Sequence, residues 1–525
     1  MTVVAIDFGT SNTVVSLLEP DTQQAKTLRL DRISRLFRLQ TKAGERLEIP
    51  VIPTLAYVRA PEELVLGQQV RSQRLGFSEP QRLFKAFKRD LAADFQPPPR
   101  QLDGVTYDAR SISEQFLQAI WQELTEKYVR PSQVIFTVPV GAFERYLDWF
   151  RHLAQALGIE QFRLVDESTA AALGYGVKHP GSLVLVVDWG GGTLDLSLVR
   201  TATAADEQNS LQAQVIAKFD AYIGGEDIDG WIVEDYLRDR GSSRETVGTV
   251  GWQNLLELAE RLKIRLSHKE SAQESWLDEE TFTSYDIRLT QEKLEEILED
   301  RQFLQQLREG LDEVLTTATS KGIQKGEIER VLLVGGSCLI PAVRQLIGSY
   351  FGKPKVKFGK PFAAVSHGAL ALSQIDRVED NLRHSYAIRL WEPHSRTYSY
   401  FTLFEKGSSY PCKREEPLML QVATEGQKEI RLDIGELAEV AQGEVTFDGA
   451  GRMTSRSLNH CEAYHSLDRD RDRACLAHLD PPGKAGIDRI AVTFEVNAQR
   501  TLQVTVKDLL LGKILLRDRA IAELK

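Results

Sequence analysis

Hydrophobic positions follow two different rhythms on either side of residue 375. Before it, short unbroken apolar runs at 3–7, 14–18, 134–138, 183–187 and 331–334 alternate with stretches whose apolar residues recur every three or four positions. Unbroken runs of that length are expected of strands buried on both faces, and the longer spacing of helices packed by one stripe, so the pattern predicts an α/β arrangement. The helical stretches fall at 111–128, where Ser111 or Ser113 is placed to cap the N-terminus, between Pro139 and residue 157, and at 255–266 and 343–350. Residues 82–90 (RLFKAFKRD) read as a solvated amphipathic helix, and the three prolines at 97–99 as a loop. Beyond 375, alternation takes over at 386–390, 398–404, 418–422, 490–496 and 501–506, with turn residues between, as in an antiparallel β domain. A charged segment poor in apolar residues, 376–385, suits a linker, and 468–473 (DRDRDR) suits a solvated loop.

Two apolar runs break in the same way. The run at 183–187 ends in Asp188-Trp189, passes through Gly190, Gly191, Gly192 and Thr193, and resumes at Leu194 with Asp195 inside the returning strand. The run at 3–7 ends in Asp7-Phe8, passes through Gly9, Thr10, Ser11 and Asn12, and resumes at 14–18. Such a hairpin is in one reading only a glycine-rich turn. In the other it is a phosphate cradle, because glycine permits positive φ and lets backbone N–H groups approach an anion with no Cβ in the way. A pair more than 170 residues apart favours the second reading: a duplicated nucleotide fold, one hairpin per half, gripping phosphates from both sides. Asp188 and Asp195 are then placed to hold a hydrated cation or orient a water.

Further candidates lie where strands end. Asp166 and Glu167 open a helix rich in small residues, at the edge where parallel sheets bind ligands; capping accounts for Asp166, and Glu167 suits either a cap or a ligand. Gly224, Gly225 and Glu226 form a glycine turn at the start of a helix. Glu260, Lys263 and Ser267 recur at three and four and so share one helix face. Gly335, Gly336 and Ser337 end the strand at 331–334.

Length and charge narrow the class. A chain of 525 residues exceeds one hydrophobic core, so two to four domains are expected. A net charge of −10 offers no surplus of cations for nucleic acid, so any anion must be held locally. No apolar run approaches the roughly 20 residues of a membrane span, and the N-terminus has no basic segment before an apolar one, so neither membrane nor secretion is expected and the cytoplasm is the default. Cys338, Cys412, Cys461 and Cys475 are too scattered for a zinc site or disulfide framework and read as ordinary thiols.

The order of motifs resembles one family. AIDFGTSN (5–12), FTVP (136–139), DESTAAALGYG (166–176), VVDWGGGTLDLSLV (186–199), IGGEDID (223–229), ERLKIRLS (260–267), LTQEKLEEIL (289–298) and VLLVGGSCLIP (331–341) are similar to those of the 70-kDa heat-shock chaperones, the DnaK-like proteins of the actin and sugar-kinase superfamily. Residues 481–508 are similar to the end of that family's β substrate-binding domain. The resemblance implies a duplicated actin-like (ribonuclease H-like) two-lobed ATPase domain over 1–375, a linker at 376–385, and a smaller, mostly antiparallel β domain over 386–525, where the family's helical lid is expected to be missing. It implies ATP or ADP with Mg²⁺ as cofactors. Asp7 and Asp188 match the aspartates that hold the metal through water, and Gly9 to Asn12 and Gly190 to Thr193 match the phosphate loops. Glu167 matches the glutamate beside the metal and attacking water, and Lys88 the catalytic lysine, with Lys85 the alternative. Gly224, Gly225, Glu226, Glu260, Lys263, Ser267, Gly335, Gly336 and Ser337 match the remaining nucleotide contacts, and Thr193 joins the catalytic group.

Departures from the family pattern are Ser168 for a proline, Leu339 for an arginine, Phe362 for an aspartate, and a linker without the family's leucine-rich form. The expected function is that of a chaperone that slowly hydrolyses ATP and binds unfolded or extended polypeptide, with a J-domain co-chaperone and a nucleotide-exchange factor as implied partners. The alternative is a nucleotide-sensing scaffold or adaptor without refolding activity. A small-molecule kinase of the same superfamily is disfavoured by the β domain.

Overall fold

The unbroken apolar runs lie side by side in two sheets. In the first, strand Val3–Phe8 pairs antiparallel with Asn12–Leu18 (Ile6 opposite Val15) and parallel with Gln133–Val138, which pairs parallel with Phe162–Asp166. On its other side Asn12–Leu18 meets Ala25–Thr27 and Arg46–Pro53, and the latter folds back on Arg35–Gln40. In the second sheet, Leu183–Trp189 pairs antiparallel with Leu194–Thr203 and parallel with Arg330–Val334, with Leu211–Ala221 and Val356–Lys357 at the edges. Each sheet thus carries one glycine hairpin with a parallel strand beside it. This is a computed structural model, and it describes residues 2–524 except 20, 41–45, 62, 93–96, 140–143, 178, 180, 204–210, 280, 374–381, 383, 393–396, 406–407, 409, 415, 448–452, 468–473 and 498–499. The chain divides into two compact units, Met1–Asp376 with Phe447–Ser455, and Arg377–Thr446 with Arg456–Lys525.

Helices cover the sheets of the first unit through the stripes their spacing requires. Ala109–Lys127 buries Ile112, Phe116, Ile120 and Leu124 against the first sheet. Phe303–Ser320 buries Leu304, Leu307, Leu311 and Val314 against the second. Between the sheets' hairpins, helix Glu167–Gly174 crosses helix Ala364–Ser373 so closely that their backbones touch.

Several local expectations are corrected. The cap of Ala109–Lys127 is Asp108, neither Ser111 nor Ser113: its carboxylate accepts from the Ser111 N–H at 2.7 Å while the Ser111 hydroxyl accepts from the Asp108 N–H at 3.0 Å. Residues 82–90 are not one helix. Arg82 ends a 3-10 turn, Leu83–Lys85 is a strand paired with Leu55–Ala60, and only Phe87–Ala92 is α-helical, because burial of the adjacent Leu83 and Phe84 comes from a distant strand that local periodicity does not reveal. The helix expected at 255–266 begins at Arg244 and kinks at Gly248, where φ is +65°.

In the second unit every described element is a strand. Thr397–Phe404, Ser385–Glu392, Ile434–Phe447 and Met453–Ser466 form one sheet in that order. Cys412–Lys413, Asp488–Val496, Thr501–Asp508 and Ile514–Glu523 form another, with Leu418–Gln421 also on Asp488–Val496. Alternation fills the core: Tyr386 and Ile388 from one sheet meet Ile490, Val492, Phe494, Val504 and Val506 from the other. Most of the segment read as a linker, and the loop at 468–473, lie outside the described residues. Among the described residues no helix is long and apolar enough to cross a membrane, and Cys338 and Cys412 are free thiols.

Candidate active site

Alternation along the two hairpin strands sets what faces the cleft. In Asp7-Phe8 and Asp188-Trp189, carboxylate and ring point to opposite faces of the sheet. Phe8 is fully buried against Phe87, Phe116 and Trp149, with centroids 6.1, 6.0 and 6.3 Å away. Trp189 stacks on Phe303 at 4.0 Å and donates its indole N–H to the Ile223 carbonyl at 3.0 Å. Each ring anchors its turn from beneath and holds its aspartate in place.

The carboxylates meet around one lysine. Lys88 is buried and donates to Glu167 Oε1 at 2.8 Å, whereas Lys85 is exposed. Asp7 accepts from the Thr137 hydroxyl at 2.8 Å. Asp188 and Asp195 open, with Glu167, onto one cavity that Lys218 and Asp220 also line. Burial, then Glu167, pushes Asp7 up to about 7 against the pull of Lys88. Burial, then the Glu167, Asp195 and Asp7 charges, pushes Asp188 well above the usual carboxylate range. Burial, then Asp220 and Glu167, brings Asp195 to about 7. Burial alone would lower Lys88, but Glu167, Tyr146 and Asp7 outweigh it and hold the ammonium charged. Five carboxylates set against Lys88 and Lys218 are short of positive charge, and among the described residues the buried Tyr146 hydroxyl has no hydrogen-bond partner. Among the described residues no three acidic, His or Cys side chains converge closely enough to hold an ion directly. The acidic surplus suits a divalent cation held through water.

The two glycine turns abut. A Cβ on Gly191 would stand 2.0 Å from Ser11 Oγ, and one on Gly192 would stand 3.0 Å from Thr10 Cγ2. Ser11 Oγ donates to Glu226 Oε1 at 2.7 Å, and the Gly225 and Glu226 N–H groups donate to the Gly190 and Gly191 carbonyls at 3.1 and 2.8 Å. This corrects the expectation for the triple glycine: Gly190, Gly191 and Gly192 do not adopt positive φ. Gly191 and Gly192 are needed for close approach, whereas a Cβ on Gly190 would meet only the Thr193 carbonyl, at 3.9 Å. Thr193 hydrogen-bonds Asp195 through its side chain and accepts from the Gly190 N–H at 3.0 Å through its backbone. At Gly9 a Cβ would meet the Asn12 carbonyl at 2.3 Å, and Asn12 itself opens the returning strand opposite Pro53.

The helix face read from spacing lines the same cleft. Lys263 pairs with Asp229 at 2.7 Å and also donates to the Gly225 carbonyl; burial nonetheless raises Asp229 to about 7. Ser337 Oγ donates to the Gly190 carbonyl at 2.7 Å, and Gly335, at φ +82°, comes so near Trp189 that a Cβ would stand 2.3 Å from its carbonyl oxygen. Gly224 presses on Gly191 and Gly336 on Phe362. Ser267 lies one turn beyond Lys263, donating to its carbonyl at 3.3 Å. Glu260 pairs with Arg35 at 3.1 Å and with Arg71; against its burial, the two guanidiniums hold its carboxyl well below the usual range.

Sequence reasoning did not single out Thr137, Tyr146, Asp220, Asp229, Arg35 or Arg71. Two of these had a signal in strand register: Thr137 sits one step beyond the Ile6–Phe136 pair, and Asp220 lies directly opposite Asp195. The others arrive from distant segments. A family model described as Hsp70 protein matches residues 85–384, more than half of the chain, and so takes in Lys88, Glu167, the second hairpin and the Gly335 turn.

Proposed function

Because the chain belongs to the Hsp70 family, whose members are ATP-binding chaperones, we propose that it is a slow Mg²⁺-dependent ATPase of the DnaK type that also binds extended polypeptide. The carrying observation is the buried Lys88–Glu167 pair among Asp7, Asp188 and Asp195, beneath two abutting glycine turns. The nucleotide's phosphates part the two turns, which otherwise touch through Ser11 and Gly191, and are held by their backbone amides. Asp7 and Asp188 hold hydrated Mg²⁺, which when bound neutralises phosphoryl charge. Lys88 offsets the negative charge that develops in the reaction, and Glu167, oriented by Lys88, aligns the attacking water. Positioning and electrostatics supply most of the acceleration in such a site. Residues 1–375 form the duplicated actin-like ATPase domain in this reading, and 386–525 the β domain that binds unfolded clients. J-domain and nucleotide-exchange partners and a cytoplasmic location complete the proposal.

Calorimetry of ATP binding with and without Mg²⁺ tests the first step, and its absence would end the proposal. Affinity for an unfolded peptide measured with ATP and with ADP tests the second. A difference of severalfold is expected of a coupled chaperone; equal affinities favour a nucleotide-sensing scaffold.

A further inference from the structure

One segment bridges the cleft without having a role so far. The hairpin of Arg35–Gln40 and Arg46–Pro53 belongs to the first sheet, yet Phe37 stacks on Phe362, which follows the last strand of the second sheet. The ring centroids are 4.5 Å apart with planes 21° from parallel. Both rings are only half buried, and they pack with Val14, Ile49 and Val51 as a small apolar cluster. Phe362 backs onto the Gly335 turn: the Gly335 N–H donates to the Pro361 carbonyl at 2.8 Å, and a Cβ on Gly336 would touch the Phe362 ring at 3.4 Å. The next residue of that turn, Ser337, is bonded to the second phosphate hairpin. Next to Phe37, the Arg35 guanidinium lies 4.1 Å above its ring and reaches Glu260.

Granting the nucleotide reading above, on which this rests, we propose that the base stacks on Phe362 and that Phe37 competes with it for the same face of that ring. Phe362 backs onto the Gly335 turn, whose Ser337 is bonded to the second phosphate hairpin, so a nucleotide anchored at that hairpin extends its base toward this ring. A planar base between two rings needs about 3.5 Å on each side, about 7 Å in all. The rings stand 4.5 Å apart, so the base must displace Phe37 and move the hairpin that carries it. Base and hairpin therefore compete for one aromatic face. Stacking selects by ring area, so a purine is preferred to a pyrimidine, and bare triphosphate is indifferent to either ring.

The test measures equilibrium binding of ATP, CTP and inorganic tripolyphosphate, all with Mg²⁺, to the full chain and to the variants Phe362→Leu and Phe37→Leu. Leucine keeps most of the apolar volume, and thermal melting checks that each variant folds. Phe362→Leu is expected to weaken ATP about tenfold, about 1.4 kcal/mol, to lower the ATP-to-CTP preference, and to leave tripolyphosphate unchanged. Phe37→Leu is expected to tighten ATP severalfold and to leave tripolyphosphate unchanged. Weakening of ATP by both variants would make the rings a fixed wall and overturn the competition. An unaltered ATP-to-CTP ratio in Phe362→Leu would overturn the stacking site. A native chain that binds tripolyphosphate and CTP but prefers neither nucleotide overturns this proposal alone, whereas one that binds no nucleotide removes the reading beneath it.

Discussion

The crossing of helices Glu167–Gly174 and Ala364–Ser373 offers a sharp test of how packing supports the site. A Cβ on Gly368 would stand 1.7 Å from the Ala170 carbonyl oxygen, and one on Gly174 would stand 1.9 Å from the Ala364 carbonyl oxygen. The obstacle in each case is backbone, which cannot rotate away as a side chain does. To reach an ordinary contact of about 3.4 Å, Gly368→Ala must drive the helices apart by about 1.7 Å at that point. Overpacking of this kind costs roughly 3 kcal/mol, against roughly 1 kcal/mol gained from alanine's helix propensity, so a net loss of about 2 kcal/mol is expected. The same substitution at Gly348, also inside a helix, meets only Lys353 Cγ at 3.5 Å and is expected to stabilise by about 0.5–1 kcal/mol. Urea unfolding followed by tryptophan fluorescence measures both. Because Glu167 opens the crossing helix, Gly368→Ala is also expected to slow ATP hydrolysis, and Gly348→Ala is not. Equal stabilities for the two variants would refute the claim that backbone contact, rather than helix propensity, sets the outcome.

Lys88→Met strands Glu167 among Asp7 and Asp188; it is expected to cost about 3 kcal/mol and to lower single-turnover hydrolysis at least 100-fold, while adding Glu167→Gln recovers stability but not activity. Asp195 is raised to about 7 in the fold by burial, Asp220 and Glu167, from 3.8 in the unfolded chain. It therefore weighs least on stability below pH 3.8 and increasingly as pH rises through 7. Asp195→Asn is accordingly expected to stabilise the nucleotide-free chain by roughly 1–2 kcal/mol at pH 8 and less at pH 6, and a gain independent of pH would contradict this. Burial, then Lys360, lowers His367 from 6.5 to about 4, so its contribution to stability is whole above 6.5 and is lost as pH falls toward 4. Going from pH 8 to pH 5 is expected to cost the native chain about 2 kcal/mol more than His367→Gln in urea unfolding.

Much of the framework is legible in the chain itself. Unbroken apolar runs become the central strands at Val3–Phe8, Gln133–Val138, Leu183–Trp189 and Arg330–Val334, because a strand covered on both faces has no polar side to display. The Asp-aromatic-glycine order of the two turns is equally local: alternation sends one side chain to each face, and glycine marks where backbones must approach. Spacing of three and four is enough to group Glu260, Lys263 and Ser267.

Tertiary structure alone decides which of those groups meet and what charge they carry. Lys88 and Glu167 are 79 positions apart, and nothing near either one reveals the pair. Phe37 and Phe362, and Gly174 and Ala364, are brought together from still farther along the chain. The triple glycine shows the division most clearly. Its composition announces an unusual backbone, but the partner that forbids a Cβ at Gly191 is Ser11 of the other hairpin, so close approach and not positive φ is the reason for it. Local sequence determines periodicity and conformational freedom, which act over a few residues. Distances between remote groups, and the burial that shifts their charges, exist only once the sheets have packed.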